Sequence, residues 1–283
     1  MIEISQTAFR LLAGLLENRT GQRLADNRRW RIDTALRPIM NSRGFASIDA
    51  LVTAIISGRD AGLQDDVIDG LLNNETYFFR DLPAFDALGR LMADEIGADR
   101  NRERRLRVWC AGCSTGQEAY SVAMMLADQS ARWAGWTIDL VATDISRTAI
   151  SRAREGMYNQ FEIQRGLPVR QMMRWFVQQG ESWVIRPELA KMVRFQRLSL
   201  AERPPLPCRF DVILCRNVLL YFSPEMRRRV LDTLADSLLP EGVLMLGAGE
   251  TVLGQSDRFA STAASRGLYR LVDPVPGIGR HAA

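Results

Sequence analysis

Two carboxylates stand where short apolar runs give out: Glu118 just beyond "VWCAGCSTGQ" and Asp144 at the end of "DLVATD". An acidic residue closing the second strand of an open α/β sheet typically accepts hydrogen bonds from both hydroxyls of a nucleoside ribose. The same aspartate can instead cap the helix that "ISRTAI" begins, and its type alone leaves both readings open. Between the carboxylates, "AGCSTGQE" carries Gly112 and Gly116, which let the backbone turn tightly and come close to a ligand. The loop lacks the G-K-[ST] of a phosphate-binding Walker loop and the full G-x-G-x-x-G of a dinucleotide site. A plain tight turn would have the same composition. Glu118 is the less ordinary feature, because a carboxylate beside a bound pyrophosphate would be repelled. A cationic nucleoside therefore suits this loop better than NAD.

The cation that answers both carboxylates is a sulfonium, S-adenosyl-L-methionine. A third group follows the apolar run "FDVILC": Arg216 and Asn217 emerge at what would be a strand tip, with Tyr221 and Phe222 one helical turn later. A capping asparagine and core aromatics would look the same. Other chemistry is limited by what the chain lacks. Its one histidine, His281, lies in a Gly/Pro-punctuated tail, which speaks against Ser-His or Cys-His catalysis and against His-ligated zinc. Cys110 and Cys113 form a lone C-x-x-C, while Cys208 and Cys215 are spaced too widely for a matching knuckle; buried, reduced thiols are the expectation, and no metal.

These groups need elements to position them. From about residue 104 strand-like and helical stretches alternate: "LRVWCAG", "WTIDLVATD", "MVRFQRL", "FDVILCRN" and "GVLMLGAGE" read as strands. Alternation of this kind predicts a parallel, doubly wound sheet. "SPEMRRRVLDTLADSLLPEG" predicts a long helix that starts at Ser223 and Pro224 and stops at Pro240 and Gly242. "MRWFVQQGESWVIRPELAK" breaks the alternation and resembles an inserted hairpin. The first seventy residues carry helical periodicity, with a stop at Gly21, an N-cap at Ser47, a stop at Gly58, and acidic residues opening the helix in "QDDVIDGLLNNET". Residues 10–43 are rich in arginine (Arg10, Arg19, Arg23, Arg28, Arg29, Arg31, Arg37, Arg43), although the whole chain carries only +4. Such a patch suits nucleic acid, an anionic membrane or an acidic protein, and is equally the pattern of a solvated helix face. No apolar run approaches the roughly 20 residues of a membrane span, and no secretory signal is visible, so a cytoplasmic protein is expected.

"NNETYFFRD", "VWCAGCSTGQEAYSVAMML", "ATDIS" and "CRNVLLYF", in this order and spacing, resemble the chemotaxis protein-glutamate O-methyltransferases, the CheR family. The resemblance spans nearly the whole chain. It implies an α/β, class I methyltransferase (Rossmann-like) doubly wound sheet with a small β-subdomain at about 157–191, preceded by an all-α domain. Residues 1–72 would form that helical domain, 73–103 the connecting segment, and 104–283 the methyltransferase domain. It also implies site residues: Asn74, Thr76 and Arg80 reaching the cofactor, Glu118 contacting it, Asp144 holding the ribose, and Arg216 and Asn217 completing the pocket. Ser199 and Leu200 fall beside the adenine, where the family usually has Asn-Leu. Arg80 and Tyr221 would be the catalytic or substrate-orienting groups. The cofactor would be S-adenosyl-L-methionine, leaving S-adenosyl-L-homocysteine, and the acceptor a glutamate in the cytoplasmic helical bundle of a chemoreceptor.

Several expectations accompany the resemblance. Tyr77, Phe78 and Phe79 are expected to close the cofactor pocket from above, with one phenylalanine sealing the domain interface instead. Arg28, Arg29 and Arg31 are expected to meet the receptor. The short turn in "VQQGESWV" predicts no dependence on a receptor C-terminal pentapeptide. A monomer with no nucleic-acid partner and no membrane insertion is expected. Competing readings are an NAD(P)-dependent oxidoreductase, a methyltransferase for nucleic acid or another protein, and a cofactor-binding adaptor without activity.

Overall fold

The structure, a computed structural model, describes residues 4–24, 29–58, 60–99, 103–202, 204, 208–262 and 266–272; Arg28 and His281 fall outside them. Four helices come first. α1 (Gln6–Thr20) begins at Ser5, whose side chain accepts from the Ala8 N–H, and ends at Gly21 in the left-handed region. α2 (Trp30–Arg43) ends at Gly44 in the same way, and α3 (Ile48–Ile56) is capped by the Ser47 side chain. α4 (Ala61–Leu71) starts at Asp60, whose carboxylate accepts from the Gly62 and Leu63 N–H groups. The fourth helix thus opens earlier than its acidic residues suggest, placing Asp65 and Asp66 beyond its first turn. Asp60 won because it can bind two otherwise unpaired donors at once. Phe9, Leu12, Leu36, Leu51 and Leu63 share one buried core among these helices.

An extended segment leads to α5 (Leu82–Leu91), which runs through a π-helical turn, Met92–Ile96, into α6 (Gly97–Asp99). The chain then alternates: β1 (Arg105–Ala111), α7 (Gln117–Asp128), β2 (Thr137–Asp144), α8 (Arg147–Glu155). A small excursion follows, made of β3 (Met157–Asn159), α9 (Gln160–Gln164), α10 (Val169–Trp175), β4 (Phe176–Gln179), β5 (Ser182–Ile185) and α11 (Pro187–Ala190). The main sheet resumes with β6 (Val193–Arg197), β7 (Phe210–Cys215), α12 (Pro224–Ser237), β8 (Leu238–Leu246), β9 (Phe259–Ser261) and β10 (Leu268–Leu271).

The main sheet has the order β6-β2-β1-β7-β8-β10-β9, parallel through β8 and antiparallel at β10 and β9. The two antiparallel strands were not foreseen; each is short and has little pattern of its own. Along β1, Leu106, Val108 and Cys110 face one core with α7, while Trp109 and Ala111 face the other with α12. The β4–β5 hairpin is the expected one, and β3 joins it as a third strand.

One boundary differs from expectation. α12 stops at Ser237, and Pro240 and Gly242 lie inside β8. Phe210 pairs with Leu238 but Val212 pairs with Val243, so an irregularity absorbs the extra residues. Proline lacks the ladder N–H and is tolerated in a strand at such a defect.

The strand order reverses at β1, with β2 on one side and β7 on the other, which is where open α/β sheets bind ligands. Cys110 is level with Ala142 of β2 and Leu214 of β7. Gly112, Asp144 and Arg216 therefore emerge side by side at one edge. Among the described residues no single helix is long and apolar enough to cross a membrane.

Candidate functional site

A cleft of about 790 Å³, counting its open mouth, lies beyond these strand ends under the segment that joins α4 to α5. Asn74, Thr76, Arg80, Glu118, Asp144, Ser199, Leu200, Arg216, Asn217 and Tyr221 all line it. The structure thus brings every site residue named from the sequence to one place.

Asp144 is fixed by backbone. Its Oδ1 accepts from the Ser146 N–H at 2.9 Å and its Oδ2 from the Ser114 N–H at 2.8 Å. Ser146 rather than Asp144 caps α8, its Oγ accepting from the Ala149 N–H at 3.1 Å. A carboxylate has about four acceptor sites, so Asp144 retains capacity for two further donors. Burial pushes its pKa up, and the Ser146 and Ser114 amides pull it back.

Glu118 sits in the first turn of α7, buried, with Oε2 3.3 Å from Nη1 of Arg216. Burial raises its pKa against the pull of that guanidinium. Arg216 is itself buried: Nη2 donates to the Arg80 carbonyl at 2.7 Å, and its guanidinium lies 5.2 Å from the Phe85 ring centre. Among the described residues its Nε has no hydrogen-bond partner. A buried donor left without an acceptor is costly.

The loops around the cleft are conformationally unusual. At Gly112, φ is 87° and a Cβ would come within 2.4 Å of Val218 Cγ2, so only glycine fits. Phe79, Asp81, Ser114 and Asn217 are non-glycine residues in the left-handed region. Backbone strain of this kind gathers where the surroundings over-determine a site. Asn217 is held by Glu250, whose Oε2 accepts from Asn217 and Gly247 N–H (2.6 and 2.9 Å) and whose Oε1 accepts from Val218 and Leu219 N–H (2.9 and 2.8 Å). Sequence reasoning missed Glu250; its only signal was an acid ending "GAGE" after the fifth parallel strand.

The connecting segment corrects the reading of its aromatics. Phe78 and Phe79 are buried away from the cleft, and of the three only Tyr77 lines it. Phe78 packs edge-on against Tyr158 and Phe176 of the small sheet, at 5.0 and 5.5 Å between ring centres. Phe79 packs on Phe85 at 5.7 Å, and its N–H donates to Ser121 Oγ at 2.9 Å. The left-handed turn at Phe79 redirects successive side chains, and the hydrophobic gain of full burial outweighs a half-wet position over a polar cleft. Tyr77 lies against the guanidinium groups of Arg80 and Arg165, 5.4 and 4.3 Å from its ring centre. Glu75 binds both arginines, at 3.0 and 2.5 Å.

Other lining residues went unremarked in the sequence. Ser114 Oγ donates to the Asn74 carbonyl at 2.7 Å, tying the glycine loop to the segment above it. Asn73 bridges Arg31 and Tyr221. Ser199, which the sequence did single out, is turned to its own backbone, accepting from the Ala201 N–H at 3.2 Å. Burial pushes the Cys110, Cys113 and Cys215 thiols well up.

The arginine-rich surface is less free than its composition suggests. Arg19 pairs with Asp65 at 3.0 Å, Arg37 with Asp33 at 2.5 Å, and Arg43 with Asp60 and Asp66. Arg29 donates to Gln6 at 2.8 Å and to the Ile4 carbonyl, and Arg31 donates to Asn73 at 2.8 Å. Arg29 and Arg31, expected to face a partner, are half-buried structural donors.

Comparison with known proteins accords with this geometry. The family described as "CheR methyltransferase, SAM binding domain" matches residues 74–268. A "Chemotaxis protein methyltransferase" of Vibrio parahaemolyticus is 33% identical over 274 residues, 95% of this chain and 98% of its own. "Chemotaxis protein methyltransferase 1" of Pseudomonas aeruginosa is 33% identical over 267 residues, covering 93% and 97%. The "Chemotaxis protein methyltransferase" of Escherichia coli is 33% identical over 276 residues, covering 95% and 92%. Among solved structures, PKMT2 from Rickettsia typhi in complex with AdoHcy overlaps 61% of this chain and 26% of its own, with TM-score 0.37 and 16% identity.

Proposed function

Since this chain belongs to the CheR methyltransferase family, we propose that it methylates glutamate side-chain carboxylates in the cytoplasmic helical bundle of chemoreceptors, forming methyl esters for sensory adaptation. It is an S-adenosyl-L-methionine-dependent methyltransferase with a class I methyltransferase fold. The observation that carries the reading of the cofactor's place is the meeting of Asp144, Glu118 and Arg216 in a single cleft. Two carboxylates and one guanidinium suit a ligand bearing hydroxyls, positive charge and a carboxylate, and S-adenosyl-L-methionine has all three. When bound, it supplies an electrophilic methyl group on sulfur and leaves as S-adenosyl-L-homocysteine.

The protein's own groups then have distinct tasks. Asp144 takes the ribose hydroxyls, and Ser199 and Leu200 flank the adenine. Glu118, with Asn74, Thr76, Arg216 and Asn217, holds the amino-acid end. Arg80 and Tyr221 orient the acceptor. A glutamate acceptor has an ordinary pKa near 4.3 and is already ionised at neutral pH, so no general base is needed. Positioning and partial desolvation of that carboxylate carry the rate. Glu75 and the Tyr77 ring engage the Arg80 guanidinium, which moderates its grip on an incoming carboxylate and preserves nucleophilicity.

We take residues 1–72 as a helical domain, 73–103 as the connecting segment and 104–283 as the methyltransferase domain, with its subdomain at about 157–191. The separate core of α1–α4 supports that division. The reading places the protein in the cytoplasm as a monomer, without a nucleic-acid partner. The β4–β5 turn is only Gly180 and Glu181, which supports independence from a receptor pentapeptide tether; tight calorimetric binding of such a peptide would overturn that point.

Labelled S-adenosyl-L-methionine and receptor cytoplasmic fragments test the whole. Base-labile methyl ester on the fragment is the expected product. Cofactor binding without ester would favour an adaptor, and label in nucleic acid would favour the other methyltransferase reading.

A further inference from the structure

Beyond Tyr221 the cleft adjoins a smaller recess of about 410 Å³, bordered by Arg23, Leu24, Arg31 and Leu71. Asn73 and Tyr221 line both spaces. Asn73 Oδ1 accepts from Arg31 Nη2 at 2.8 Å, and Asn73 Nδ2 donates to the Tyr221 hydroxyl oxygen. The arginine decides which way the amide faces. A guanidinium can only donate, so it claims the amide oxygen and leaves the NH₂ for the tyrosine. Tyr221 must then accept on that side, and its own O–H vector is turned away from Asn73.

We propose that Asn73 is a positioning residue for methyl transfer, locked by Arg31, and that it sets the direction in which Tyr221 presents its hydroxyl to the acceptor carboxylate. The proposal rests on the function above, in which Tyr221 orients the acceptor. The backbone of Tyr221 is already fixed. It closes the 3-10 turn Leu219–Tyr221, which Glu250 holds at its start, and its carbonyl accepts from the Arg23 N–H at 2.7 Å. The turn fixes the place of the ring, and the Asn73 amide adds a donor on one side of the hydroxyl oxygen. An amide without a lock can reverse its oxygen and nitrogen at little steric cost. Reversal would offer Tyr221 an acceptor and draw its proton back toward Asn73. Because Arg31 lies in the first turn of α2, the lock also ties this hydroxyl to the helical bundle.

Asn73→Asp changes the polarity of one atom with almost no change of shape: the carboxylate accepts from Arg31 and from Tyr221 alike. Single-turnover esterification of a receptor fragment should slow on the order of tenfold, while calorimetric affinity for S-adenosyl-L-homocysteine stays within about twofold. In a Tyr221→Phe background, Asn73→Asp should change the rate by less than about twofold, because no hydroxyl remains to be turned. Arg31→Met, which frees the amide without reversing it, should give a loss of about threefold that also vanishes in that background. An unchanged rate in Asn73→Asp, or equal fold-losses with and without the Tyr221 hydroxyl, overturns the lock while leaving the function intact. A wild-type protein that forms no ester overturns the function and the lock together.

Discussion

Asp144 and Glu250, which hold the loops beside the cleft, keep different company from the carboxylates on the surface of the helical bundle. Asp144 gathers two backbone N–H groups and Glu250 gathers four. Asp69 does the same across the boundary, accepting from the Arg147 and Thr148 N–H groups at 2.8 and 3.0 Å and so docking α4 onto the start of α8. On the bundle surface, Asp65 and Asp66 meet arginine side chains instead. Backbone donors lose no side-chain freedom when they bind, whereas long exposed side chains do and are screened by salt. The same residue type therefore builds a rigid site in one region and a nearly neutral coat in the other.

The contrast is sharpest at Glu250. Glu250→Ala leaves four backbone donors without their charged acceptor and should cost about 3 kcal/mol in urea unfolding, with loss of methyl transfer. A cost below about 1 kcal/mol would dissolve the distinction between the two regions. Asp144→Ala comes next. Loss of a charged acceptor for two hydroxyls and of the brace on Ser114 should weaken S-adenosyl-L-homocysteine binding on the order of 100-fold by calorimetry.

A pH dependence follows from Glu118. Burial lifts its pKa above the ordinary 4.5, with Arg216 opposing. Between 4.5 and the raised folded value, the folded protein keeps a proton that the unfolded chain has released, so this group's contribution to stability is full below 4.5 and is lost as pH rises through the folded value. Binding of a cationic cofactor runs the other way, because it needs the ionised form and weakens as pH falls through that value. Glu118→Gln should flatten both profiles and lower cofactor affinity about tenfold near neutrality. The smallest effect belongs to the coat: Arg19→Ala should shift unfolding by less than about 0.5 kcal/mol and leave cofactor affinity unchanged.

Local signals made much of this legible. Gly21, Ser47, Ser223 and Pro224 cap their helices as the sequence indicates, and the five parallel strands stand where apolar runs announce them. The family motifs led to ten residues that share one cleft. Directions and partners were hidden. Phe78 and Phe79 turn into cores rather than toward the cleft, and β9 and β10 are too short for a pattern of their own. The arginines of the first helices were visible, but not the acids that engage them.

By itself the sequence determined the capped helices, the five parallel strands and the residues standing at their tips, because periodicity and capping act over a few neighbouring residues. Only the tertiary structure decided which group each of them binds. Asn73 meets Tyr221 across 148 positions of chain and Glu250 meets Asn217 across 33. Such pairs are selected by packing geometry, and no short stretch of sequence carries that information.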